Sequence, residues 1–92
     1  MFSSSADIAM NAPQRCLLRL CKHWSHKFQV SYDEHAGRIE FVPAACELRV
    51  IADGLQVRIV SPDAAELAEL QAIVADHVQR MAGQSLHVNW RG

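Results

Sequence analysis

The chain has 92 residues, the length of a single domain spanning 1–92, and half of them (50%) are hydrophobic against 21% charged, the balance of a soluble protein with its own core. The net charge of −1 argues against the basic surface that general nucleic-acid binding needs, and equally against a polybasic membrane patch.

Residues 1–5 read as a mobile end. The stretch "SADIA" (5–9) is either an edge strand or a loose arm. Asn11 is a good N-cap, and Pro13 is tolerated in a first helical turn. Leu17, Leu20, Cys21 and Trp24 follow the i, i+3, i+4, i+7 rule, which predicts a helix over 12–24 with that face buried. Arg15, Arg19 and Lys22 then face solvent.

From residue 28 the period changes to two. Phe28, Val30 and Tyr32 alternate with polar residues, Asp33 to Gly37 supply turn chemistry, and Ile39 and Phe41 alternate again, the pattern of a hairpin. "PAA" breaks the run. Cys46, Leu48 and Val50 form the next apolar row, "ADG" turns the chain with Gly54 able to take positive φ, and Leu55, Val57 and Ile59 form the last. The opposite face carries Gln29, Ser31, Arg38, Glu40, Glu47, Arg49, Gln56 and Arg58, whose arginines and glutamates can pair across strands.

A second helix opens at "SPDAAE", with Ser61 as N-cap, Pro62 in the first turn, and Asp63 and Glu66 at the positive end of the dipole. Leu67, Leu70, Val74, Val78 and Met81 make its apolar stripe, with Ile73 beside it, and Gly83 ends it. "SLHVNW" is either a last strand or an extended tail packed on the domain. The expected fold is therefore α+β: a two-layer sandwich, with an antiparallel four-stranded meander covered on one face by two helices. The order is α-β-β-β-β-α, with room for short extra strands at the termini.

Cys16, Cys21 and Cys46 are odd in number and contain no CxxC, which argues against a disulfide framework. There is no secretory-type leader and no apolar run near the roughly 20 residues a membrane span requires. The expectation is a reduced, cytoplasmic, soluble domain.

Chemistry concentrates in "CKHWSHKF" (21–28) and around His77. Lys22, His23, His26, Lys27, Asp76 and His77 are the candidate ligand-binding residues. His23, His26 and His77 are the candidate ligands for a metal ion, since imidazole suits zinc, iron or copper. Cys21 and His23 point about 200° apart on a helix and cannot share an ion without a break in it. The lone readings are plainer: Cys21 as a small buried hydrophobe, His23 at a helix C-terminus, His26 in a junction, His77 at the border of the core. Asp76 points to another side of its helix. If the two helices lie side by side, His77 approaches His23 or His26. Nucleophilic catalysis has weak support, because Cys21 faces the core and no GxSxG, Walker or GxGxxG motif is present. The expectation is a protein that is not an enzyme.

The segments "RLCKHWSHKFQVSYDEHAGRIEF", "AACELRV", "ADHVQRMA" and "LHVNW" resemble the bacterial domain-of-unknown-function family 2218, over roughly residues 6–91. Met81 departs from that pattern, where an aromatic is expected. The resemblance implies a small α+β protein with no catalytic residues to carry over. It also implies a setting near siderophore-interacting flavin reductases, hence an accessory role toward a ferric siderophore or such a reductase. The alternative is an interaction protein that forms a homodimer, or docks a partner, through the open sheet face.

Overall fold

The computed structural model describes residues 1–92 and shows an α+β fold. The elements in order are β1 (Phe2–Ala9), α1 (Pro13–Trp24), β2 (Gln29–Tyr32), β3 (Ala36–Glu40), β4 (Ala45–Ile51), β5 (Gly54–Ser61) and α2 (Ala64–Ala82). The five strands form one antiparallel sheet ordered β1-β5-β4-β3-β2. The expected four-stranded meander is β2 to β5, and β1 adds a fifth strand at its far edge.

Residues 2–5, expected as a loose end, are strand: β1 pairs with β5 from Phe2↔Ser61 to Ala9↔Gly54. The register explains why. It puts Ser4, Ala6 and Ile8 on the core face beside Ile59, Val57 and Leu55, and all three are buried. "SLHVNW" is the packed tail of the two alternatives. It forms no ladder, but Leu86, Val88 and Trp90 lie against the core, and Arg91 exchanges two backbone hydrogen bonds of 2.8 Å with Ser5.

Both helices cover one face. Cys16, Leu17, Leu20, Cys21 and Trp24 of α1, and Leu67, Leu70, Val74 and Val78 of α2, meet Ile39, Cys46, Leu48, Leu55, Val57 and Ile59 of the sheet in one core. No helix is long and apolar enough to cross a membrane.

Three local expectations shift. The N-cap of α1 is Ala12 at φ 53°, not Asn11, with Pro13 opening the helix. The N-cap of α2 is Asp63, not Ser61: its carboxylate accepts the Ala65 amide N–H at 3.0 Å. Ser61 is instead fully buried at the end of β5, where its hydroxyl donates to Glu66 at 2.6 Å and accepts the Asp63 N–H at 3.0 Å. Third, Gly54 does not have positive φ. A Cβ there would lie 2.0 Å from the Ile8 carbonyl oxygen, so close approach of β1 excludes a side chain. Gly83 ends α2 at φ 70° as expected.

Gly37 also lies within a strand rather than the turn, which Asp33 organises by accepting the N–H groups of His35 and Ala36 at 2.8 and 2.9 Å. A Cβ on Gly37 would sit 2.7 Å from Cys21 Sγ, so α1 can approach β3 only over a glycine. Gly37→Ala should cost about 1–3 kcal/mol in urea unfolding through overpacking. Part of the loss should return in the double variant with Cys21→Ala, and strictly additive effects would contradict the contact. Gly54→Ala, which meets backbone rather than a side chain, should cost more than Gly37→Ala.

Candidate functional site

The end of α1 runs straight into β2. Ser25 continues the helical trace, its N–H bonding to Cys21 O at 2.9 Å, and the Lys27 and Phe28 N–H groups both reach Trp24 O, at 3.0 and 2.9 Å. This tight exit places Trp24 and Phe28 inward and leaves His23, His26 and Lys27 exposed around them. From α2, Leu70, Ile73 and His77 share one face at spacings of three and four. Phe41, just past β3, closes the third side.

These nine residues, His23, Trp24, His26, Lys27, Phe28, Phe41, Leu70, Ile73 and His77, line one cleft of about 390 Å³. Its walls are aromatic. Trp24 and Phe41 meet edge to face at 5.4 Å, and Phe28 and Phe41 at 4.8 Å. The His77 ring lies 5.1 Å from both the Trp24 ring and the His23 ring. Four of the six candidate ligand-binding residues, His23, His26, Lys27 and His77, therefore share this cleft.

The other two do not join them. Asp76 is turned away, since one residue rotates a helix by about 100°, and it pairs with Arg80 at 3.2 Å. Lys22 is exposed and outside the lining. Phe28, Phe41, Leu70 and Ile73, read from the sequence only as core residues, supply the apolar wall. The one hint of this was that Phe28 and Phe41 end apolar rows at the same side of the sheet.

The electrostatics are one-signed. No acidic residue lines the cleft, and none of its cationic or imidazole groups takes part in an ion pair. His77 Nδ1 lies 2.8 Å from Ile73 O. A carbonyl oxygen only accepts, so the bond requires the proton on Nδ1 and leaves Nε2 of the neutral ring as an acceptor. His23 is held below the ordinary imidazole range, first by partial desolvation and then by repulsion from His77, Arg80, His26 and Lys27.

The metal set expected from the sequence does not assemble. No group of three His, Cys, Asp or Glu side chains has the placement to hold an ion. His23 and His77 meet as ring neighbours, while His26 contributes only to the shared rim. The thiols are also out of play. Cys16, Cys21 and Cys46 are buried and free, and burial raises the first two to about 11 and the third higher still.

A larger concavity of about 550 Å³ lies on the opposite, polar face of the sheet. It is open and shallow, and its charges are largely spent on each other. Glu47 bridges Arg38 at 2.9 Å and Arg58 at 3.3 Å, and Arg38 also holds Glu40. Such exposed pairs stabilise by about 0–1 kcal/mol each and leave little unpaired charge for a ligand. The smaller cleft, with its unpaired cations and apolar walls, is the better candidate.

The depressed His23 value fixes a sign. Acidification protonates the unfolded chain first, so stability is complete above the unfolded value near about 6.5 and is lost as pH falls through it toward the folded value. An NMR titration should place His23 below free histidine and move it upward in His77→Gln. An unchanged midpoint in that variant would contradict the coupling. A disulfide reagent should label no thiol in the native protein and all 3 after denaturation.

The comparisons agree with this fold. The NMR structure of PA4090 from Pseudomonas aeruginosa is similar at a TM-score of 0.85 and 40% identity, over 99% of this chain and 96% of that one. No curated protein matches the chain. The family model described as an uncharacterized protein conserved in bacteria, DUF2218, matches residues 5–91, and the chain belongs to that family.

Proposed function

We propose that the domain is a non-catalytic binding module whose small ligand seats in the cleft between the end of α1 and α2. One observation carries this reading: His23, His26, Lys27 and His77, drawn from two distant segments, converge without any acidic partner over an aromatic wall. An unpaired ammonium group, three imidazoles outside any ion pair and half-buried aromatic rings beside a concave apolar surface are what a ligand would satisfy. The buried, high-pKa thiols and the lack of a carboxylate in the cleft support a binding role over a catalytic one.

A ferric siderophore is the ligand this reading tries first, and a siderophore-related reductase the first protein partner. Iron in such a complex is already held by the chelator's own oxygens. Recognition then needs cations and aromatic surface rather than a ligand trio. At about 390 Å³ the cleft lies near the lower end of ligand sites, so it would take one arm of a chelate and not the whole.

NMR mapping with a mixed panel of neutral, cationic and anionic fragments, together with the diamagnetic gallium(III) tris-catecholate complex, tests both levels. Saturable shifts should concentrate at the Trp24 indole and the His77 ring and weaken about tenfold in His26→Ala or Lys27→Ala, a loss of about 1.4 kcal/mol. If no panel member shifts the cleft, the binding reading fails. If fragments bind there and the gallium complex does not, the iron link alone fails.

A further inference from the structure

The cleft's composition narrows the ligand further, on the reading that it is a binding site. Its accessible wall is the half-buried, edge-to-face pair Phe28 and Phe41 with the exposed Ile73 beside it, and Trp24, 4% exposed, backs them under Phe41 and His77. A planar ring can stack or meet these edge to face, whereas a puckered one cannot. The rim carries positive or protonatable groups only, with no carboxylate among them. Asp76, the acid beside His77 in sequence, is engaged by Arg80.

We propose that the cleft takes a small aromatic carboxylate, ring against Phe28, Phe41 and Ile73 and carboxylate among His23, Lys27 and His77, and that binding draws a proton onto the His23–His77 pair. The rings of that pair are 5.1 Å apart. Every charged or titratable group facing His23 is cationic or protonatable: His77 and Arg80 from α2, and His26 and Lys27 from the turn after α1. In the free protein these groups oppose protonation of His23. A bound carboxylate reverses the sign of that field and favours the imidazolium, with the carboxylate accepting its N–H as a charge-assisted hydrogen bond. Between the free and the bound titration points, the complex therefore holds more protons than the free protein. Affinity must then rise as pH falls through that interval and be flat above it.

The test follows naphthalene carboxylate by shifts of the Trp24 indole and the His77 ring, with naphthalene carboxamide as the uncharged control and decalin carboxylate as the puckered one. The carboxylate should bind at least about tenfold tighter than either control. Its affinity should rise about fivefold or more between about pH 8 and about pH 5.5. His23→Gln, at an exposed position, should flatten that pH dependence, and Lys27→Glu should weaken binding about tenfold at every pH. Equal binding of the carboxamide or the decalin acid would overturn the ligand class while leaving the cleft a binding site. Carboxylate binding with no pH dependence, or with a dependence unchanged in His23→Gln, would overturn the proton uptake. No shift with the carboxylate at any pH, while other fragments shift the cleft, would overturn the class outright.

Discussion

The site depends on the burial of Trp24 at the last turn of α1. Its ring sits against Phe41 beyond β3 on one side and His77 of α2 on the other, so three separate segments are held by one side chain. Truncating a buried tryptophan typically costs about 3–5 kcal/mol, a large share of the 5–15 kcal/mol that holds a domain together. The helix cannot tilt away from the sheet without losing that contact. Nor can it shift along β3, because Cys21 is fitted to the space left by Gly37. With α1 fixed in this way, its last turn projects His23, and the turn after it His26 and Lys27, around the rim of the cleft.

The two faces of the molecule use charge differently. On the outer sheet face the register places Glu47 directly between Arg38 and Arg58, and the strands satisfy their own ions. At the helical end Asp76 takes Arg80, and no carboxylate lines the cleft itself. Desolvation first, and then the charges that protonated His77, Arg80, His26 and Lys27 set against a protonated ring, make His23 hold its proton less tightly. Repulsion of this kind is a small cost at an exposed position, and an arriving anion would relieve it. The volume of a concavity decides less than whether its polar groups are already paired.

Much of this was legible in the sequence. Period-two rows fixed four strands, the i, i+3, i+4, i+7 stripes fixed both helices, and "CKHWSHKF" with His77 marked most of the site's polar groups. The misses have physical causes. Ser3 to Ser5 are too polar to announce a strand, and only pairing with β5 makes Ser4 an inward residue. Ser61 is as good a cap as Asp63 by type; burial of its hydroxyl against Glu66 assigned it elsewhere. Asp76 stood among the candidate residues although its helix position already turned it away from His77, and its pairing with Arg80 keeps it out of the cleft. Phe41 was visible as an apolar residue at the same end of the sheet as Phe28, but that it walls a cleft depends on how far α2 reaches over the sheet, which no local pattern reports.

Lys27 and the protonatable rings of His23, His26 and His77 stand outside any ion pair in the Trp24 cleft and are free to meet an anion. Anomalous diffraction from crystals soaked in bromide at mildly acidic pH tests this most directly, because bromide reports anion affinity without a designed ligand. An ordered bromide is expected in the cleft, in contact with the His23, His26 or Lys27 side chain. Ordered bromide only elsewhere, such as beside Arg49 on the outer sheet face, with none in the cleft, would contradict it.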